Sequence, residues 1–389
     1  MTQAVERAAV SEGEQVAVSE GEQRDYTDPR VLEEAAGAWL MPLAGEALFH
    51  WDYDTDDAQM LRLYAQGKQR QWDADAELDW AHEPDPANPL GMPDEFISIC
   101  GSPLWDRLPE SERAVIRTHT AGWLYSQFLH SEQFALIGVG KIAAGTPSLE
   151  AKMYAATQLM DEARHAEAFN RYLRTKIGVR YGLSPTLGSL FRQVLAEPRW
   201  DLGVLTAHVL VENMGLAAFG MHKERMRDPL AKAFMGYVLR DEARHVAFGR
   251  TLLRRLYPQM TAAEMREREE FVLEGCWALR DRYVDDDMWH ELGYGKEAVE
   301  LSRLSPSKRE FRRLVFMRIV PALKDIGLFG PVVKEGLAKM GVLGFGDAGL
   351  DELAREPLDE LQAEHDARRE LDARVREIKS IADLGAGER

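Results

Sequence analysis

The sequence predicts an all-α protein built on a four-helix bundle, and three observations carry that prediction. First, Asp161-Glu162-Ala163-Arg164-His165 recurs as Asp241-Glu242-Ala243-Arg244-His245, and each copy follows another glutamate by thirty residues, Glu132 and Glu212. Second, the midpoint of each interval is a helix break: Gly145-Thr146-Pro147-Ser148 in one and Asp228-Pro229 in the other. A stop, a short turn and a new start would fold each interval into an antiparallel hairpin, with its two glutamates equally far from the bend. Third, no strand-rich region competes for the chain.

The first 25 residues are expected to be disordered. Ala9-Val10-Ser11-Glu12-Gly13-Glu14-Gln15 repeats as Ala17-Val18-Ser19-Glu20-Gly21-Glu22-Gln23, an acidic tandem repeat without a core-forming pattern. One helical domain is expected over 26–345. Residues 30–110 read as mixed helices interrupted by Pro84, Pro86, Pro89 and Pro93, and the core bundle as 111–256. The link from His165 to Glu212 contains Gly178, Gly182, Pro185 and Gly188, and its length suits a crossover between the hairpins. Residues 262–345 carry further helices, with breaks expected at Pro306 and Pro321 and a turn over 326–331. From 346 to 389 a charged helical tail is expected. Leu353, Leu358, Leu361 and Leu371 could form a stripe on it, though a solvated helix is the preferred reading.

Four carboxylates and two imidazoles at this spacing are what a bundle needs to hold two metal ions in its core. Glu162 and His165, like Glu242 and His245, are three apart and so share a helix face. Four buried carboxylates without cations would be costly and would take up protons, whereas two divalent ions cancel four negative charges. Oxygen ligands with one imidazole per metal suit iron or manganese better than the thiolate-rich sites of structural zinc. A lone Glu-x-x-His is common on solvated helix faces. A doubled one with matched upstream glutamates is not explained that way. Asp161 and Asp241 are placed to accept the second N–H of a ligating histidine, each from the other hairpin. Arg164 and Arg244 would pair with them and keep them ionised.

This doubled Asp-Glu-x-Arg-His, with its upstream glutamates, resembles the ferritin-like di-iron carboxylate oxygenases. The likeness is to hydroxylase subunits of bacterial multicomponent monooxygenases and to the small subunit of ribonucleotide reductase. It covers about Arg113 to Tyr257. The stretch from Leu63-Tyr64 to Trp72 and Leu78-Asp79-Trp80 is similar to the segment before the bundle in such proteins. The resemblance implies that Glu132, Glu162, His165, Glu212, Glu242 and His245 are iron ligands and that O2 reacts at the reduced centre. Two positions depart from the pattern. Phe169 stands where the reductase subunits carry a radical tyrosine, so a stable tyrosyl radical is not expected there. Leu216 stands where the monooxygenases carry a threonine.

His208 lies four residues before Glu212, and its counterpart in the first hairpin is Phe128. Three readings are open: an extra nitrogen ligand, which some N-oxygenating di-iron proteins have at a different position; a pocket-lining base; or an orienting core histidine, the preferred one. His119, His130 and His222 have no matched partners and read as ordinary residues. Tyr125, Phe128, Leu129, Leu136, Val139, Leu205, Leu216 and Phe219 fall at helical spacings from the glutamates. They are expected to form an apolar wall, with Tyr125, Phe128, Leu136, Leu216 and Phe219 facing substrate. Tyr154 and Tyr237 read as core tyrosines.

The chain has 389 residues, 45% hydrophobic, enough for a sizeable core. Its net charge of −17 argues against nucleic acid. No apolar run approaches a membrane span, and no basic-then-apolar leader opens the chain. The two cysteines, Cys100 and Cys276, lack metal spacing and fit a reducing cytoplasm. The expected function is O2-dependent oxidation of a small organic substrate, by hydroxylation or N-oxygenation. Electrons would come from a ferredoxin or flavin reductase, because no flavin, haem or nicotinamide motif is visible. A homodimer is compatible with this reading. The rivals are an oxidase or desaturase, a manganese/iron ligand-binding oxidase, and a non-catalytic iron-binding or storage protein.

Overall fold

A computed structural model describes residues 39–347 apart from 52 and 283. The expected acidic N-terminal tail and the leucine stripe of the C-terminal tail lie outside the described residues. The chain divides into two compact units, Met1–Pro42 and Leu43–Arg389, and everything below belongs to the second. Among the described residues no strand occurs, and helices follow one another from α1 (Ala58–Gln69) onward.

The first hairpin consists of α2 (Glu110–Gly145) and α3 (Leu149–Tyr172). Its turn is written locally. The Thr146 N–H closes the last turn of α2 on the Ile142 carbonyl at 2.9 Å, and the Ser148 hydroxyl accepts the Ala151 N–H at 3.1 Å to open α3. Such a cap contributes about 1 kcal/mol. The crossover contains α4 (Pro185–Ala196). The second hairpin begins at α5 (Trp200–Val204), passes through a π-helical stretch at Leu205–Val211, and continues as α6 (Glu212–Arg225). Asp228 then caps α7 (Pro229–Leu256), accepting from the Ala231 N–H at 2.8 Å, with Pro229 at the position where a missing N–H costs nothing. Asp228 also accepts from the Tyr172 hydroxyl at 3.0 Å and meets His82 Nε2 at 2.6 Å. One carboxylate therefore joins both hairpins to the segment before the bundle.

α1 lies directly on α3. A Cβ on Gly67 would sit 2.5 Å from Thr157 Oγ1, so only glycine permits this approach. The run Trp200–Arg225 is long and apolar enough to cross a membrane by composition, but 83% of its most apolar window is buried inside the protein. It is a bundle-core helix and carries Glu212.

Beyond the bundle come α8 (Ala262–Arg282), α9 (Gly295–Arg303), α10 (Pro306–Asp325) and α11 (Pro331–Met340). Pro306 starts a helix as expected, but Pro321 does not break one: it lies inside α10 and is buried. An interior proline loses one backbone hydrogen bond. Its burial beside Phe316, Ile319, Val320 and Leu323 holds the helix through that defect. The turn at 326–331 separates α10 from α11 as the glycines suggest.

Candidate metal centre

Glu132 on α2, Glu162 and His165 on α3, Glu212 at the start of α6, and Glu242 and His245 on α7 converge in the bundle interior. All six are buried. Both imidazoles turn Nδ1 toward the carboxylates. His165 Nδ1 is 3.3 Å from Glu132, 3.6 Å from Glu162 Oε2 and 3.4 Å from Glu242 Oε1. His245 Nδ1 is 3.3 Å from Glu162 Oε1, 3.7 Å from Glu212 and 3.3 Å from Glu242 Oε2. Glu162 and Glu242 thus each present one oxygen to each imidazole, while Glu132 lies with His165 and Glu212 with His245. Two overlapping sets could each hold a metal: Glu132, Glu162, His165 and Glu242, and Glu162, Glu212 and His245, with ligand atoms within 4.8 Å of one another in each set.

Behind the imidazoles lies a closed ring of charges. His165 Nε2 is 3.1 Å from Asp241, and His245 Nε2 is 3.3 Å from Asp161, so each histidine reaches the aspartate of the other hairpin. Arg164 donates to Asp161 at 2.5 Å and to Asp241 at 3.2 Å, and Arg244 donates to Asp241 at 2.7 Å and to Asp161 at 3.0 Å. The segment after α1 completes the ring: Trp72 Nε1 donates to Asp241 at 2.8 Å, and the Gln71 amide donates to Asp161 at 3.0 Å. An N–H engaged at Nε2 leaves Nδ1 as the free lone pair, so the ring selects the tautomer and aims it inward.

The electrostatics of these buried groups call for cations. Burial pushes Glu132 up to about 8 against the pull of His165. Burial would also raise Glu162, but His245, His165 and the Gln158 amide outweigh it and lower the group to about 2. Both imidazoles are held well above their ordinary value in spite of burial, chiefly by Glu132 for His165 and by Glu162 for His245. In this arrangement protons provide the positive charge, and metal binding would displace them. Glu162 Oε2 is buried and lacks a hydrogen-bond partner among the described residues, as an oxygen reserved for a metal would. The oxygen-rich donor set with two nitrogens fits iron or manganese.

His208 faces Gln158, not the carboxylates. Its Nε2 lies 3.0 Å from Gln158 Oε1, and the Gln158 amide donates to Glu162 at 2.9 Å and to Glu212 at 3.2 Å. With the amide committed to carboxylates, Gln158 Oε1 must accept, so His208 carries its proton on Nε2. Burial, with His245 nearby, lowers His208 to about 3, so it stays neutral. Helical spacing places His208 one turn from Glu212, but the π-helical stretch changes the phase: the Glu212 N–H reaches back to the Ala207 carbonyl. The Asn213 side-chain amide donates to the Val209 carbonyl at 3.0 Å within this widened turn. Gly249 makes room for the ring; a Cβ there would lie 2.2 Å from His208 Cβ. Gly249→Ala should therefore displace His208 and cost about 1–3 kcal/mol. Thermal unfolding is the measurement, and a variant as stable as the parent would contradict this packing.

The cavity at the cluster is about 40 Å³ and is lined by Phe128, Phe219, Ala135, Ala218, Met214 and Phe311, among others. Of the expected wall only Phe128 and Phe219 line it; Tyr125, Leu129, Leu136, Val139, Leu205 and Leu216 do not. Tyr125 packs instead on Phe169 and Tyr172, with ring centroids 5.3 and 5.2 Å apart. In both hairpins the cavity lies on the side of the residue three after the glutamate, Ala135 and Gly215, so the residue four after it, Leu136 or Leu216, is turned away. Gln158, Gln71 and Phe311 were not expected. Only the spacing of Gln158, four before Glu162, could have revealed one of them. His119 meets the Tyr181 hydroxyl at 2.7 Å, His130 the Tyr181 carbonyl at 3.0 Å, and His222 the Ala218 carbonyl at 2.5 Å, all away from the cluster. Tyr154 stacks on Phe248 at 4.3 Å, and Tyr237 donates to Glu77 at 2.8 Å.

No curated protein matches this chain. Among solved structures it is similar to a protein with aldehyde deformylating oxidase activity from Synechococcus, with 19% identity, a TM-score of 0.43, and coverage of 56% of this chain and 94% of that one. It is also similar to a variant R2-like ligand-binding oxidase with a reconstituted Mn/Fe cofactor, with 19% identity, a TM-score of 0.46, and coverage of 72% and 100%. The family described as p-aminobenzoate N-oxygenase AurF matches residues 54–327. That span takes in all six clustered carboxylates and imidazoles and the charge ring behind them, so the chain belongs to the AurF family and is a di-iron oxidoreductase of ferritin-like fold.

Proposed function

We propose that Glu132, Glu162, His165, Glu212, Glu242 and His245 hold two iron ions, a site that could also accept manganese in one position, and that the protein N-oxygenates a small aryl amine. The observation that carries this reading is the convergence of the six groups on a small, largely apolar cavity within a chain of the N-oxygenase family. The balanced reaction takes the amine, O2, two electrons and two protons to the hydroxylamine and water. The iron pair supplies O2 activation when bound. The protein's own residues do the rest. The Asp161–Arg164–Asp241–Arg244 ring keeps both imidazoles aimed inward, and the Gln158 amide steadies Glu162 and Glu212. Phe128, Ala135, Ala218 and Phe219 keep water from the reacting atoms. Phe169, in place of an oxidisable tyrosine, favours consumption of the oxidant by substrate. We further read the electron donor as an external ferredoxin or flavin reductase, because no flavin, haem or nicotinamide motif is visible in the sequence, a homodimer as compatible with this reading, and the cytoplasm as the site of action from the two isolated thiols.

The test is single turnover of the reduced, iron-loaded protein with 4-aminobenzoate and isotopically labelled O2. One labelled oxygen atom on the amine nitrogen is expected. Dehydrogenation of the substrate without label would replace oxygenase by oxidase. Retention of tens of ferric ions per chain, with no product, would make the protein an iron store.

A further inference from the structure

The two metal sets differ in their surroundings. The set on the His165 side has four members, Glu132, Glu162, His165 and Glu242, and the set on the His245 side has three, Glu162, Glu212 and His245. The smaller set carries an additional contact. Gln158 Nε2 donates to Glu162 Oε1 at 2.9 Å and to Glu212 Oε1 at 3.2 Å. These are the same two oxygens that face His245 Nδ1, at 3.3 and 3.7 Å. Glu162 Oε2, which faces His165, has no hydrogen-bond partner among the described residues.

One amide nitrogen therefore spans the two hairpins. It holds a carboxylate of α3 and a carboxylate of α6 side by side and offsets part of the repulsion between them. That grip depends on which way the amide faces. Turned over, Gln158 would aim its own carbonyl oxygen at two carboxylates. His208 Nε2, 3.0 Å from Gln158 Oε1, fixes the productive orientation. The His208 ring is itself held, edge-on to Phe248 with centroids 5.2 Å apart and against Gly249. Gln158 and His208 are both fully buried, so bulk water replaces neither partner. Gln158 lies one turn before Glu162 on α3, and His208 lies in the π-helical stretch that leads into Glu212. Each hairpin thus supplies one carboxylate and one member of the pair.

We propose that Gln158, oriented by His208, is a positioning residue for one metal position only, the one formed by Glu162, Glu212 and His245. This rests on the reading that the six groups hold two ions, and it adds that the two positions are assembled differently. The His165-side position forms from its own four ligands. The His245-side position, with fewer ligands, needs the amide to keep Glu162 and Glu212 together before the ion arrives.

The test is anaerobic titration of the metal-free full chain with manganese(II), a probe suited to oxygen-rich sites, followed by calorimetry and electron paramagnetic resonance. The parent should take up two ions per chain and show a spin-coupled pair. In Gln158→Leu the affinity for one ion should fall by about 10–100-fold while that for the other stays within about threefold, and the spectrum of isolated manganese should replace that of the pair. Adding Glu132→Ala to Gln158→Leu should then remove the remaining ion as well. His208→Leu should act in the same direction as Gln158→Leu, because the buried Gln158 oxygen loses its donor. His208→Gln, which keeps an N–H at a similar reach, should restore the pair, and these two variants carry the test if Gln158→Leu folds poorly. A Gln158→Leu protein that forms the pair at the parent's loading overturns the proposal, as does one that keeps its helicity but loses both ions in parallel. In either case the parent's pair leaves the proposed function standing. A parent that never holds two ions removes the dinuclear reading itself, and this inference with it.

Discussion

Glu162→Ala is expected to lose most of the two iron ions that the parent protein holds per chain, whereas Glu132→Ala is expected to retain about one. The difference comes from position. Glu162 presents Oε1 to His245 and Oε2 to His165, at 3.3 and 3.6 Å, and so belongs to both metal sets. Glu132 lies with His165 alone, at 3.3 Å. His245→Ala removes the single imidazole of its set and should also drop the count by one or more. The measurement is metal analysis after anaerobic loading with ferrous iron, on variants whose helicity matches the parent. A parent that binds one ion or none, or a Glu162→Ala protein that keeps two, would refute the assignment of these six residues.

Asp241→Ala is expected to be the most destabilising substitution near the site, by about 3–5 kcal/mol. Asp241 is fully buried and meets Arg244, Arg164, His165 and the Trp72 indole N–H. Burial alone would raise its carboxyl, but Arg244, His165 and Arg164 hold it well below the ordinary carboxylate range. Removing it leaves two buried guanidiniums sharing one aspartate and strands the indole donor. At about 2 cal/mol/K of unfolding entropy per residue, a chain of 389 residues shifts by roughly 1.2 °C per kcal/mol, so the midpoint of thermal unfolding should fall by about 4–6 °C. Asp241→Asn, which keeps the shape and one acceptor, should fall by less. A loss below about 1 kcal/mol in Asp241→Ala would mean that the ring contributes orientation without stability.

Much of the site was legible because it is repeated. Glu-x-x-His on one helix face, doubled with glutamates at equal distance from two turns, has few bundle geometries open to it. The cross-hairpin pairing of Asp161 with His245 and of Asp241 with His165 followed from the same symmetry. His208 was not legible in the same way. Its spacing from Glu212 pointed along a regular helix, and a π-helical stretch turned it toward Gln158. The substrate wall was legible only in part. Phe128 and Phe219 line the metal cavity, but Tyr125, Leu136 and Leu216 do not, and Phe311 comes from a helix some seventy residues after the second motif.

The sequence by itself determined the helical class, the two hairpins, their turns and the set of carboxylates and imidazoles, because periodicity, capping and breaker residues act within a few positions of the chain. Only the tertiary structure decided what surrounds the cluster: the Gln158–His208 contact, the closure of the charge ring by Gln71 and Trp72, and the entry of Met214 and Phe311 into the cavity lining. Those features depend on how helices distant in sequence are phased and packed against one another, and side-chain packing at close-packed density is a property of the assembled interior that no local pattern encodes.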